Sequence, residues 1–375
     1  MQAYLDNSAT TSVCDEAIKR MNRTMTECWG NPSSLHAAGL LAAKEFDSCT
    51  AAAAKMLSCE PEEIFFTSGG TESNNTVLFG VAKAMKKQGN RIVVSAVEHS
   101  SIIQPARQLQ NQGFDVIFLP VGKDGVIDRD ALFEAVNKDT VLVSVMTVNN
   151  ETGSIQPVEL LKKAVRRAAA PALIHTDAVQ AFGKIPLKVN ALGVDLLSAS
   201  SHKIHGPKGA GLLYIRSGCK IAPLLYGGEQ QQRIRPGTEA LPAISGFAGA
   251  IQALPDINEE FKAVSSLRNY FLTELKSIEN SVVVSPENSL PYIANVSISG
   301  MRSETVLNFL SERGVFVSTG SACSKGHRSH VLEALDLPPK VIDGAIRVSF
   351  SRFTTKEEID LLISSLRDAQ KYIRH

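Results

Sequence analysis

The chain has 375 residues, 44% of them hydrophobic, a length that suits two packed domains rather than one small core. Its 39 Lys and Arg stand against 38 Asp and Glu, a formal charge of +1. That balance excludes the global basic field that collects nucleic acid or anionic lipid, so the expected partners are small molecules or proteins, with no direct nucleic acid and no membrane.

The opening Met1-Gln2-Ala3-Tyr4-Leu5-Asp6 has no cationic segment followed by an apolar one, and no apolar run approaches the roughly 18 residues of a membrane span, so a cytoplasmic location is expected. Six cysteines (Cys14, Cys28, Cys49, Cys59, Cys219, Cys323) include no CxxC pair, which fits reduced thiols better than a disulfide framework or a zinc site. Most of them read as small core residues.

From about residue 60 to 215, apolar runs alternate with helical stretches: Ile64–Thr67, Ile92–Ala96, Val116–Pro120, Val141–Val148, Ala172–Thr176, Leu196–Ser200 and Gly211–Ile215. This rhythm predicts an α/β fold whose mostly parallel sheet is covered on both faces. Around residues 254–262 the pattern breaks. There follow a helical stretch, an alternating strand Ile293–Ser299, a helix from Ser303, a strand Ala345–Phe350, and a last helix opening on the capping-box pattern Thr355-Lys356-Glu357-Glu358. The expected division is 15–253 as a large domain, with 1–14 and 254–375 as a smaller α+β domain.

Polar clusters fall just after the strands: Ser68-Gly69-Gly70-Thr71, Glu98-His99-Ser100, Asn149-Asn150-Glu151, Asp177 and Ser201-His202-Lys203. Ligands of open α/β sheets bind at the carboxyl ends of strands, so these five tails point at one crevice. A lysine at a strand end inside a crevice is desolvated enough for its amine to be neutral, as a Schiff base requires. Asp177 suits a protonated pyridine nitrogen, and Ser68-Gly69-Gly70-Thr71 can open a helix whose N–H groups meet a phosphate. Singly, such a lysine is ordinarily a solvated charge and such an aspartate a helix cap; their joint arrival at one crevice distinguishes them.

Eight ordered motifs carry a resemblance that runs the length of the chain: Leu5-Asp6-Asn7-Ser8-Ala9-Thr10-Thr11, Thr67-Ser68-Gly69-Gly70-Thr71-Glu72-Ser73, Glu98-His99, Val148-Asn149-Asn150-Glu151-Thr152-Gly153, Thr176-Asp177-Ala178-Val179-Gln180, Ser201-His202-Lys203, Arg235-Pro236-Gly237-Thr238 and Gly320-Ser321-Ala322-Cys323. The sequence resembles the cysteine desulfurases of the NifS/IscS type, a branch of the class V aminotransferase fold. The resemblance implies fold type I of the pyridoxal 5'-phosphate enzymes, L-cysteine as substrate, alanine as product, and sulfur held on Cys323 as a persulfide for an acceptor protein.

By the same resemblance, Lys203 would hold the cofactor and move the Cα proton. Asp177 would pair with the pyridine nitrogen, His99 would stack on the ring and manage the substrate thiol proton, and Asn150 and Gln180 would bind the phenolic oxygen. Gly70, Thr71, Ser200 and His202 would hold the phosphate, with Ser201 between the last two. Thr238 would reach the phosphate of the neighbouring subunit of a homodimer, and Arg347 would clamp the substrate carboxylate. No metal is implied. The pathway served, whether iron–sulfur cluster assembly, tRNA thiolation or a thio-cofactor, stays open, as do selenocysteine lyase, another class V activity, or a sulfur-delivery scaffold with weak turnover alone.

Around Cys323, Ser324-Lys325-Gly326-His327-Arg328 supplies positive charge that favours a thiolate. Only seven residues, Ser324–His330, separate Cys323 from Val331, fewer than in long-loop members of the family, so a short reach and a cationic tip of Lys325, His327 and Arg328 are expected.

Overall fold

The apolar runs between residues 60 and 215 pair as one seven-stranded sheet. The structure, a computed structural model, describes residues 2–319 and 328–373. Its strands are β1 (Ala3–Tyr4), β2 (Ile64–Thr67), β3 (Arg91–Ser95), β4 (Asp115–Leu119), β5 (Thr140–Ser144), β6 (Leu173–Asp177), β7 (Leu196–Ser200), β8 (Gly211–Ile215), β9 (Ser281–Val283), β10 (Ile293–Ile298), β11 (Val315–Phe316) and β12 (Ala345–Ser349). The large sheet has the order β2-β8-β7-β6-β5-β3-β4. Strands β3 to β7 run parallel to one another, whereas β8 runs against both β7 and β2.

Alternate side chains of each strand enter different cores, because successive Cβ atoms point to opposite faces. Phe66, Val93, Val143 and Leu212 join one cluster; Phe65, Ile92, Val94, Leu142 and Leu213 join the other. The second is closed by Val77, Leu78 and Val81 of the helix Gly70–Met85 and by Ile102, Ala106 and Leu109 of the helix Ser100–Asn111. With both faces covered, these strands read as continuous apolar runs, as the sequence suggested.

The run expected to stay a strand through Val148 leaves the regular ladder after Ser144. Its partner β3 ends at Ser95, and the next amide on that side, Met146 N, donates instead to Glu98 Oε1 at 2.6 Å. Toward β6 the bonding continues, from Val145 N to His175 O and from Thr147 N to Asp177 O.

After residue 254 the order is helix Ile257–Leu275, β9, β10, helix Ser303–Glu312, β11, two short helices, β12 and helix Lys356–Tyr372. The strands form an antiparallel sheet β12-β10-β9, and β11 pairs in parallel with the N-terminal β1. The expected capping box is present: Glu358 N donates to Thr355 Oγ1 at 3.3 Å and Thr355 N to Glu358 Oε2 at 2.8 Å. Although β10 alternates apolar and polar residues, every residue of the strand is buried. Asn295 Nδ2 donates to Glu151 O, and Ser285 Oγ, which accepts from Asn295 N, donates to Thr152 O. The polar face of β10 is therefore packed against the 149–156 loop rather than against water.

Candidate active site

The strand tails meet at a cavity of about 290 Å³ lined by Gly70, Thr71, His99, Asn150, Asp177, Gln180, Ser200, His202, Lys203 and Arg347. Most of them come from the tails of β2, β3, β6 and β7 or the helix starts that follow, which is the expected crevice of an open α/β sheet; Arg347 comes from β12.

Lys203 closes the short turn Ser201–Lys203 that follows β7. Its Nζ donates to Ser8 O at 2.5 Å and Ala9 O at 2.7 Å. This amine is lowered to about 7, by burial first and by Arg347 and Lys184 after it, while Asp6 and Asp177 oppose. A substantial fraction is thus the neutral, nucleophilic form near neutrality.

Asp177 is the last residue of β6 and is buried. Its Oδ1 accepts from Val179 N at 2.9 Å and its Oδ2 from Asn74 Nδ2 at 2.7 Å. Both bonds orient the carboxylate in a setting that could hold a cationic ring nitrogen. His99 caps the helix Ser100–Asn111, its Nδ1 accepting from Ser101 N at 3.2 Å. That bond leaves Nε2 as the protonated nitrogen of the neutral ring. Burial holds the imidazole below its ordinary value, with Asp177 opposing.

Gly70 opens a sixteen-residue helix facing Ser200 and His202. A Cβ at Gly70 would lie 2.7 Å from Val179 Cγ2, and one on Gly211 of β8 would lie 2.5 Å from the Gly69 backbone, so only glycine lets this helix start sit so low over the sheet. The cluster could receive an anion from the helix N-terminus and adjoining polar side chains. His202, whose Nδ1 is 3.1 Å from Thr10 Oγ1, is held neutral by burial at about 4.

Arg347, on β12, donates from Nη1 to Asn150 O at 2.8 Å and from Nη2 to Asp6 Oδ1 at 2.9 Å. It fixes the end of the small sheet against the loop that carries Asn150. That loop is turned by Asn149, whose Oδ1 accepts from Glu151 N and Thr152 N, both at 2.9 Å. Asn150 Oδ1 is buried with no hydrogen-bond partner among the described residues.

Two expected residues lie elsewhere. Ser201 is buried off the cavity, with its hydroxyl against Gly206, where a Cβ would fall 2.0 Å away; successive residues of a tight turn point to different sides. Thr238 is exposed and does not line the cavity. Cys323, Lys325 and His327 lie outside the described residues. Arg328, expected at a cationic tip, is instead bound by both carboxylate oxygens of Asp343, at 2.8 and 2.9 Å. The next two residues are also held: Ser329 Oγ donates to Glu151 Oε2, and His330 Nε2 meets Glu98 O at 3.0 Å.

Sequence reasoning missed Asn74, Ser101 and Ser8, all of which line the cavity. Asn74 sits one helical turn after Gly70, and that i, i+4 spacing was the available signal.

A family model described as Aminotransferase class-V matches residues 3–362. The chain is 41% identical over 370 residues to the cysteine desulfurase IscS of Dictyoglomus turgidum, covering 97% of this chain and 93% of that protein. It is 39% identical over 376 residues to the cysteine desulfurase IscS of Methanosarcina thermophila, covering 99% and 93%. Among solved structures it is similar to a "NIFS-LIKE PROTEIN" (TM-score 0.94, 37% identity, 100% of both chains) and to "SspA in complex with cysteine" (TM-score 0.84, 30% identity, 94% of this chain and 100% of that one).

Proposed function

The chain belongs to the class-V aminotransferase family and is a pyridoxal-phosphate-dependent cysteine desulfurase, and from that premise we propose how its own residues divide the work. The observation that carries the proposal is the Lys203 amine, lowered to about 7 in the cavity that Asp177 also lines.

The cavity fits the cofactor. An amine, a buried carboxylate, a helix start with adjoining Ser200 and His202, and the unpartnered Asn150 Oδ1 supply the complementary groups for an aldehyde, a pyridine nitrogen, a phosphate and a phenolic hydroxyl. Lys203 holds the cofactor, Asp177 its ring nitrogen, and His99 a ring face. Gly70, Thr71, Ser200 and His202 hold the phosphate, with Ser201 supporting their turn, and Asn150 and Gln180 hold the phenolic oxygen. When bound, the cofactor supplies an electron sink for the substrate Cα.

The protein's residues do the rest. Arg347 holds the L-cysteine carboxylate, a task suited to its planar guanidinium. Lys203 would take the Cα proton, and His99 would manage the thiol proton at Nε2. The Cys323 thiolate attacks the substrate sulfur: an S–S bond forms, the Cβ–S bond breaks with its electron pair left to the substrate carbon skeleton, and protonation of Cβ and return of a proton to Cα complete alanine. The role of Cys323 rests on its Gly320-Ser321-Ala322-Cys323 motif; of the other five cysteines, Cys14, Cys28 and Cys49 are buried. Burial pushes Cys49 and Cys59 up to about 12 and Cys219 to about 11, which keeps those thiols protonated near neutrality.

The sulfur then passes to an acceptor protein. We infer a homodimer in which Thr238 completes the partner's phosphate site, supported by exposed apolar side chains including Trp29 (72%) and Leu35 (93%). A cytoplasmic setting is inferred as well; among the described residues no helix is long and apolar enough to cross a membrane. The division at residue 254, with 1–14 joining the later segment, is supported by the pairing of β1 with β11. Incubation with L-cysteine, following alanine and thiol-released sulfide, tests the reading; alanine without sulfide would reject persulfide chemistry.

A further inference from the structure

Lys184 is 7% exposed and takes part in no step described above. It lies one turn after Gln180, with Nζ 3.4 Å from Gln180 Oε1 and 5.4 Å from the centre of the Tyr292 ring. A small cavity of about 10 Å³ is lined by both Lys184 and Lys203. Both side chains border this cavity, and the positive charge of Lys184 is felt at Lys203.

A second link joins them. An ammonium donates and cannot accept, so Lys184 fixes Gln180 with its oxygen toward the lysine and its nitrogen away. Gln180 Nε2 then donates to Ser8 O at 3.0 Å, and that carbonyl also accepts from Lys203 Nζ. The path from Lys184 to Gln180, Ser8 O and Lys203 is continuous.

The charged and titratable groups facing Lys184 are Glu260 of the helix Ile257–Leu275, Arg347 of β12, Tyr292, and Lys203, His202 and His205 after β7. Glu260 is shared: it accepts from the Tyr292 hydroxyl at 2.9 Å and lies 3.9 Å from Arg352. Burial lowers Lys184 to about 8, with Glu260 opposing and Arg347 adding. A cation kept so deep needs a reason, because burying a charge is costly.

We propose that Lys184 is a positioning residue for the desulfurase reaction: it sets the amide orientation of Gln180 and, through the Ser8 carbonyl and its own charge, the resting place and proton affinity of the nitrogen of Lys203. This rests on the assignment of Lys203 as the lysine that holds the cofactor. Lys184 touches neither substrate nor reacting atoms.

The test is a pH titration of the visible absorption band in the cofactor-loaded enzyme, with borohydride fixation and peptide mapping on the same samples. Lys184→Met removes a like charge near Lys203 and should raise the band's pH midpoint by about half a unit or more. Lys184→Arg keeps the charge and should leave the midpoint near the parent's. Lys184→Gln serves as the charge-free variant if the methionine protein does not fold. A pyridoxyl label on Lys203 together with an unmoved midpoint in a folded, charge-free variant overturns the role of Lys184 alone. A label on another lysine overturns the Lys203 assignment and this proposal with it.

Discussion

Asn74 Nδ2 donates to Asp177 Oδ2 at 2.7 Å and to Ser101 Oγ at 2.8 Å, and Ser101 Oγ lies 2.8 Å from His99 Nδ1. One amide thus ties the carboxylate proposed to hold the ring nitrogen to the imidazole proposed to lie on the ring. Asn74→Ala should leave Asp177 with the Val179 N–H as its remaining bond. Losing a hydrogen bond to a charged group costs about 1.5–3 kcal/mol, or roughly ten- to a hundredfold in cofactor retention. Dialysis followed by absorbance titration with pyridoxal phosphate measures it; retention equal to the parent's would separate Asn74 from the site.

Lys203→Ala should abolish the visible band, and borohydride fixation of the parent should label Lys203 rather than Lys208. Capture of cofactor by the apo protein requires the neutral amine. Because burial lowers Lys203 to about 7, the capture rate should rise with pH through a midpoint near 7 and level off above it. A rate still climbing toward pH 10 would describe a solvated lysine.

Cys323→Ser should keep the cofactor and its absorption while releasing no sulfide from L-cysteine. Turnover near the parent's would mean that another thiol carries the sulfur, against the high values of Cys49, Cys59 and Cys219.

Glu98 is fully buried, and burial, with Asp177 adding, raises its carboxyl from 4.5 to about 8 despite bonds from Ser95 Oγ and Met146 N. Between those values the folded protein keeps a proton that the unfolded chain releases. Its stabilising contribution is present below the ordinary value and is lost as pH rises through about 8, at up to about 1.4 kcal/mol per pH unit. Glu98→Gln preserves the acceptor at Oε1 and should flatten that fall. Urea midpoints at pH 5, 6.5 and 8 report it, and parallel slopes in parent and variant would place the pH dependence elsewhere.

Arg328 and Asp343 are about half exposed, and solvent screens such a pair, so Arg328→Ser should barely change stability. With Arg328 taken by Asp343, steering of an acidic acceptor falls to Lys325. Lys325→Ser should slow persulfide transfer at low salt more than Arg328→Ser does, with the first turnover unchanged. Equal rates for both variants and the parent would leave the loop charges without a docking role.

The central sheet was legible in the sequence because its strands are buried on both faces and read as apolar runs, five of which end in the polar residues of the site. Lys203, Asp177, His99 and Gly70 were legible for the same reason: a strand end is a position along the chain, and the chemistry of each residue suits one part of a single cofactor. Only the tertiary structure decided the rest. Asn74, Ser101 and Ser8 entered the site through contacts of 2.5–2.8 Å between elements distant in sequence. The same holds for Arg328, drawn to Asp343 fifteen residues on, and for β10, whose alternating pattern is that of a half-wet strand although its polar face is packed against the 149–156 loop. Periodicity records which side of an element is polar; what that side meets is fixed by how the elements pack.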